Sequence, residues 1–257
     1  MRTQNKTDLV LTSTILVLFL GILSSCSNNQ GGAQQAAGFK EQLELERKIY
    51  EKAKQTGDHH TAVVSLNRML ALDSSLVRYH DSLPRHYLAL SNVKSAAYYA
   101  EKSLEQDPGN EKMLELAGFV YFESGSFKKA EEKFTKLYEI TQEAKYLYQL
   151  SQIYGYMGDR KKGNEMIEMI LKDNSLDDVY VDLATTTGAV QDVKIKAAAW
   201  FVRANLQDNP KQALPFIKKA LQVQPDFEIA RKMKDEFELQ IEQEKAMQYE
   251  RKLRQMR

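Results

Sequence analysis

Four turn-type dipeptides recur at a nearly constant spacing through the middle of this 257-residue sequence. Successive pairs are 34, 34 and 33 residues apart, and each lies inside an otherwise helical pattern. They are Gly57-Asp58, Ser91-Asn92, Gly125-Ser126 and Gly158-Asp159. A fixed period of this length indicates a repeated helical unit that buries its apolar face by stacking on its neighbours, because one unit alone cannot bury it.

Small and large residues keep step with these turns. Small residues follow each turn at a constant offset, at Ala62, Ala96, Ala130 and Gly163, and tyrosines precede the last three turns, at Tyr87, Tyr121 and Tyr154. Two helices per period, joined by a short turn, account for all of these positions. Pro84 lies within the first helix of the second unit and predicts either a late helix start or a kink there.

The pattern resembles the tetratricopeptide repeat (TPR) family. The third unit, 111–144, is the best match and carries large and small residues at the family's preferred positions, namely Leu114, Gly118, Tyr121, Gly125, Phe127, Ala130, Phe134 and Leu137. The resemblance implies an all-α fold, a right-handed α-solenoid of about five TPR helix pairs. Units 1–4 would occupy 39–177.

The next turn, Asp208-Asn209-Pro210, comes 50 residues after Gly158-Asp159, so the chain contains an insertion before a fifth unit at 194–227. The inserted segment, 178–193, is rich in β-branched residues and contains Gly188. This composition fits an extended, hairpin-like insertion, and a disordered surface loop is equally compatible with it.

The C-terminal segment, 228–257, has helical apolar spacing in its first part and predicts a helix that caps the repeat array. Asp226 is placed to cap the start of this helix. Beyond Ile241 the apolar residues become fewer and the charge changes from acidic to basic. The tail is either a solvated helix end or a docking helix for a partner.

The N-terminus has the order of a secretory signal. Arg2 and Lys6 precede an apolar run from Leu9 to Leu23, which is shorter than a bilayer-spanning helix. Leu23-Ser24-Ser25-Cys26 then resembles the lipobox of bacterial lipoproteins. The resemblance implies a signal peptide at 1–25 and a lipid, palmitate included, on Cys26. The alternative is an unprocessed membrane anchor.

After Cys26 the segment to Gly38 is small and polar, and predicts a flexible tether over 26–38. Ser27 follows the cysteine where an aspartate would favour retention in the inner membrane. We therefore expect a cell-membrane lipoprotein, with the outer membrane favoured and the folded part facing the periplasm.

Composition excludes several other functions. Lys and Arg number 36 against 35 Asp and Glu, a balance that argues against a nucleic-acid partner. A single cysteine excludes an internal disulfide and a Cys-rich metal site. The histidines lack metal-ligand spacing and are interpreted as structural or surface residues; they are His59, His60, His80 and His86. Nucleophile-elbow and phosphate-loop motifs are absent from the sequence, so we expect no enzyme, no cofactor and no metal.

The TPR resemblance implies a groove lined by the first helix of each pair. The family's groove positions fall here on Arg78, Arg85, Lys112, Phe119, Phe122, Lys145, Tyr148, Gln152 and Tyr156. Aromatic rings beside long donors suit an extended peptide or a partner helix. The alternative is that Phe119, Phe122 and Tyr156 simply pack between helices. The family's carboxylate clamp is not matched, because Gln149 and Gln152 occupy positions where asparagines would help.

These features together predict a lipid-anchored, non-catalytic scaffold that binds a protein or peptide partner in the cell envelope. The alternative is a structural component of an envelope complex that assembles through the insertion and the C-terminal helix. The sequence does not define the oligomeric state or the partner.

Overall fold

The computed structural model describes residues 28–76 and 79–256, with side chains from residue 37 onward. Cys26 and Arg78, and the predicted signal peptide, lie outside the described residues. The chain divides into two compact units, with the boundary between Leu90 and Ser91. Among its described residues, unit 1 contains the helices α1 (Asn28–Thr56), α2 (His59–Leu72) and α3 (Leu83–Ala89).

Unit 2 contains eight further helices and one small sheet among its described residues. They are α4 (Val93–Gln106), α5 (Glu111–Glu123), α6 (Phe127–Thr141), α7 (Ala144–Tyr156), α8 (Arg160–Lys172), a short 3-10 turn (Asn174–Leu176), β1 (Tyr180–Ala184), β2 (Val190–Lys194), α9 (Ile195–Asn205), α10 (Pro210–Val223) and α11 (Glu228–Gln255). Within the described residues no helix combines the length and apolar character that a membrane crossing requires.

The periodic dipeptides close each helix pair by the same backbone device. The first residue of each pair is left-handed, with φ of 70°, 56°, 73° and 75° at Gly57, Ser91, Gly125 and Gly158. The second residue is the N-cap of the following helix, and at Asp58, Asn92 and Asp159 its side chain accepts a backbone N–H bond. Glycine tolerates the left-handed region and Asp or Asn caps well, so the sequence dictates a sharp stop followed by a new helix.

Two of the small residues after the turns lie where helices of one unit approach closely. Ala62 on α2 and Ala130 on α6 have no exposed surface. In the third pair, a β-carbon added to Gly118 would lie 2.8 Å from the ring of Phe134, which is fully buried. The glycine therefore lets α5 and α6 approach closely, and the ring fills the space that it leaves.

Tyrosines join one helix pair of unit 2 to the pair before it. The Tyr121 hydroxyl on α5 donates to Glu101 on α4, and the Tyr154 hydroxyl on α7 donates to Glu131 on α6, each at 2.8 Å. Burial, together with these hydrogen bonds, raises the pKa of both phenols well above the usual range. Both hydroxyls therefore remain donors, and each links successive repeats through a charge-assisted bond.

One expectation about helix boundaries is confirmed and another is wrong. α3 starts late, with Pro84 in its first turn, which is the first of the two alternatives for that proline. The flexible tether predicted over 26–38 is wrong from Asn28 onward, because α1 begins there. The alanines and glutamines at 33–37 are strong helix formers and favour a helix there despite three nearby glycines.

Of the two alternatives for 178–193, the structure has the hairpin. β1 and β2 pair antiparallel, with Tyr180 opposite Lys194 and Asp182 opposite Asp192. Val181 and Leu183 face the helical core, and Val193 is fully buried in it. The alternation of β-branched and polar residues therefore predicts an extended segment correctly, because one face of the hairpin is covered.

The hairpin, rather than Asp226, caps α11. The N-cap position is Phe227, which offers no side-chain bond. Instead Gln191 on β2 accepts a hydrogen bond from the backbone N–H of Glu228 at 3.1 Å and donates to the carbonyl of Asp226 at 2.9 Å. The prediction that Asp226 caps this helix is therefore wrong, because the helix N–H group donates its bond to Gln191, a residue from a distant part of the chain, rather than to Asp226.

Candidate protein-binding face

The first helices of the third, fourth and fifth pairs, α5, α7 and α9, contribute to one surface of unit 2, which we call the inner face. Tyr146 at the start of α7 donates to Glu115 of α5 at 3.4 Å, and further along Phe122 lies 5.4 Å from Tyr156 between ring centres. α9 packs directly on α7. Helical periodicity repeats the same side-chain direction along each helix, so residues of one register line this face.

A partly exposed aromatic cluster forms one end of the inner face. Phe122, Phe127 and Tyr156 lie within 6.0 Å of one another between ring centres, and the rings of Phe127 and Tyr156 are stacked at 5.2 Å. Tyr156 is 66% exposed. Phe119, one helical turn from Phe122, packs edge-on against Phe134 yet keeps 40% of its surface exposed. These rings therefore pack between helices and also remain accessible to a partner.

A cleft of about 290 Å³ adjoins this cluster between α7 and α9. Its lining includes Gln152, Tyr156 and Asn205, together with Gly155 and Leu206. The amide groups of Gln152 and Asn205 can each donate and accept hydrogen bonds. An aromatic wall next to two amides is suited to the apolar side chains and the main-chain groups of an extended polypeptide.

Charge at the opposite end of the face is already paired. Lys145 lies 3.4 Å from Glu115 and 3.0 Å from Glu143. Burial by itself would lower the pKa of the Lys145 ammonium, but its bonds to Glu143 and Tyr146 and the nearby Glu115 reverse this, so the pKa is raised and the charge is retained. The lysine is therefore engaged with the protein's own carboxylates, unlike Lys112, which is exposed.

The predicted groove residues belong to two units. Phe119, Phe122, Gln152 and Tyr156 lie on the inner face of unit 2, and Arg85 is an exposed residue of unit 1. Tyr148 is only 3% exposed and belongs to the core shared with α9, so the prediction that it contacts a partner is wrong. Burial raises the pKa of its phenol well above the usual range. The fifth unit covers this position because α9 packs over the start of α7.

Two inner-face residues were missed. Phe127 follows the turn and belongs to the second helix of its pair. The family's groove positions lie on first helices only, so they do not include it. Asn205 lies at the end of α9. It would have been identified if the family's groove positions had also been assigned in the fifth unit.

The histidines do not form a metal site in the described part of the chain, where no three His, Cys, Asp or Glu side chains converge. His59 and His86 instead hydrogen-bond to each other in unit 1, and His86 is buried.

Paired helices closed by a Gly-type turn and repeated at about 34 residues define the tetratricopeptide class of α-solenoid. The described helices and their repeat geometry place this chain in that fold class, all-α apart from one small hairpin. No family model matches the sequence, and no curated protein matches it either.

Solved TPR structures are similar to it in three dimensions. A tetratricopeptide repeat protein from Parabacteroides merdae is 15% identical with a TM-score of 0.61, over 78% of this chain and 74% of that one. YrrB, described as a TPR protein with an unusual peptide-binding site, is 17% identical with a TM-score of 0.56, over 77% and 97%. MamA is 17% identical with a TM-score of 0.56, over 72% and 93%. At these identities the likeness establishes the TPR fold.

Proposed function

We propose that this chain is a non-catalytic TPR scaffold that holds an extended protein segment against the inner face of unit 2. The observation that carries the proposal is that exposed and partly exposed aromatic rings continue into the amide-lined cleft. Phe119, Phe122 and Tyr156 supply apolar area at low entropic cost, and Gln152 with Asn205 can bond main-chain groups. The peptide-binding site described for YrrB shows that a protein of this fold can hold a peptide.

The charge distribution narrows the chemistry of the partner. Lys145 is paired with Glu115 and Glu143, so its ammonium group is not free to bind a terminal carboxylate. Aromatic and amide groups favour an internal, apolar-rich extended segment over an acidic tail. No cofactor takes part in such binding, and no proton transfer or bond cleavage is required of these side chains.

We further propose that the scaffold is tethered to the membrane by lipid on Cys26, on the periplasmic side of the outer membrane. The support is the lipobox-like sequence and the charged and apolar segments before it. More than one acyl chain gives durable attachment. Metabolic labelling with a palmitate analogue should mark the wild-type protein, and Cys26→Ser should abolish both the label and recovery in the membrane fraction.

Site-specific photo-crosslinking tests the binding face. A photoreactive phenylalanine at Phe119 or at Tyr156 should capture the same envelope protein, whereas the same residue at Tyr249 on α11 should not. Tyr249 is a matched control, since it is 64% exposed against 66% for Tyr156. Combined Phe122→Ala and Asn205→Ala changes should then reduce capture from Phe119 without loss of helicity by circular dichroism. Equal capture from Tyr249, or undiminished capture by the double variant, would contradict the proposal.

A further inference from the structure

The two outer edges of the β1–β2 hairpin differ in their hydrogen bonding to the rest of unit 2. Ile195 N–H donates to the carbonyl of Val179, and Thr185 N–H donates to that of Ala189. In an antiparallel pair, the alternate residues then direct their N–H and C=O groups away from the partner strand. On β2 these are the even-numbered residues from Val190 to Lys194, and on β1 they are Tyr180, Asp182 and Ala184.

The outer edge of β2 is sealed by one glutamine. Gln224 accepts a hydrogen bond from Lys194 N–H at 2.7 Å and donates to the carbonyl of Asp192 at 3.1 Å. The amide therefore imitates one residue of a neighbouring strand. A new strand cannot add at this edge without displacing Gln224.

The outer edge of β1 has no such cover. Within the described residues, the outward N–H and C=O groups of Tyr180, Asp182 and Ala184 form no hydrogen bond, and all three residues are exposed. An open strand edge presents donors and acceptors at the spacing of another strand. Because this edge is short, only a single extended segment can pair with it.

The exposed face of the hairpin carries an uncompensated pair of like charges. Asp182 lies directly opposite Asp192, and neither carboxylate has a cation within salt-bridge distance in the described chain. The nearby lysines are committed elsewhere, Lys194 to Asp178 and Lys196 to Asp177. Like charges directly opposite each other destabilise a strand pair, so a cation placed beside them would be stabilising.

We propose that the outer edge of β1 binds an extended segment of a partner protein as a third strand, with a Lys or Arg of that segment beside Asp182 and Asp192. A residue opposite Asp182 on an added strand has its side chain on the same face, within reach of both carboxylates. A second copy of β1 is disfavoured, because antiparallel pairing centred on Asp182 would place two aspartates opposite each other. This surface is separate from the inner face and does not depend on the function proposed for it.

The test uses the full chain and a fluorescent heptapeptide of alternating Thr and Val with a central Lys, measured by anisotropy. We expect saturable binding with a dissociation constant below about 1 mM, and binding about tenfold weaker when Glu replaces the central Lys. The charge-reversed variant Asp182→Lys with Asp192→Lys should invert this preference. Reversal of an exposed carboxylate elsewhere, Glu236→Lys on α11, should leave it unchanged.

Main-chain pairing is tested by peptides methylated on the backbone nitrogens of one edge. Methylation of the edge that faces β1 should abolish binding, and methylation of the opposite edge should not. Retained helicity of the variants is checked by circular dichroism. Equal affinity for the Lys and Glu peptides, tolerance of methylation on both edges, or no binding at about 1 mM peptide would each overturn the proposal.

Discussion

His59 and His86 share a hydrogen bond between their Nδ1 atoms, which lie 2.9 Å apart within unit 1. One ring must donate and the other accept, so the bond requires at least one neutral imidazole. His86 is buried, and its ring packs edge-on against Tyr50. Burial lowers the pKa of His86, and the neighbouring His59 and Lys54 lower it further.

This pair predicts acid sensitivity of unit 1. Because the folded-state pKa of His86 lies below the unfolded value of 6.5, the unfolded chain binds more protons in that range. Stability is fully present above about pH 6.5 and falls as the pH drops from there toward the lowered pKa. Thermal unfolding between about pH 8 and pH 5 should show this loss. His86→Gln should flatten the profile, whereas His60→Gln, at an exposed position, should not.

The tyrosine hydrogen bonds between repeats predict that removing a tyrosine hydroxyl lowers the stability of the protein, although the aromatic ring stays in place and leaves no large cavity. Tyr121→Phe and Tyr154→Phe each remove a hydroxyl bonded to a carboxylate at 2.8 Å. Each should lower the free energy of unfolding by about 1–2 kcal/mol in urea denaturation. Tyr156→Phe removes an exposed hydroxyl and should change it by less than about 0.5 kcal/mol. Equal effects of all three changes would show that the inter-repeat bonds add nothing.

The close approach of α5 and α6 predicts that Gly118→Ala is destabilising. Its methyl group would lie 2.8 Å from the Phe134 ring, and that ring is fully buried. Overpacking of this kind costs about 1–3 kcal/mol, which exceeds the gain in helix propensity of about 1 kcal/mol. Gly38→Ala is the matched control, because Gly38 also lies inside a helix and its methyl group would meet nothing within 4 Å. Urea unfolding that shows no loss for Gly118→Ala would contradict the packing.

The left-handed backbone conformation of Ser91 predicts that glycine at this position stabilises the protein. Ser91 occupies the left-handed position, φ 56°, at which the other three periodic turns have glycine. Ser91→Gly should raise the free energy of unfolding by about 1 kcal/mol, because the side chain no longer strains the backbone. Gly125→Ala at the equivalent turn should lower it by a similar amount. Calorimetry on the two variants should therefore give midpoint shifts of opposite sign.

Gln191 predicts coupling between the hairpin and the C-terminal helix. Gln191→Ala removes the cap on Glu228 and should lower stability by about 1 kcal/mol. Amide hydrogen exchange should show the loss of protection at the start of α11 and not in α5. Unchanged exchange in α11 would show that the cap is dispensable.

Much of the candidate binding face could be predicted from the sequence. The period defined α5 and α7, and the family register placed Phe119, Phe122, Gln152 and Tyr156 on one surface, where the structure has them. Tyr148 shares that register but is covered by α9, and Phe127 joins the face from a second helix. Neither the burial of Tyr148 nor the position of Phe127 follows from the repeat positions within one unit, because burial depends on which neighbouring helix packs over a residue.

The sequence by itself determined the helix pairs of this protein, because left-handed glycines, N-caps and small residues act within a few residues of each turn. It also determined that 178–193 would be strand-like or a loop. Only the tertiary structure decided that this segment is a hairpin with one sealed and one open edge. It likewise decided that Gln191 replaces Asp226 as the cap of α11, since both outcomes depend on contacts between residues 30 or more positions apart.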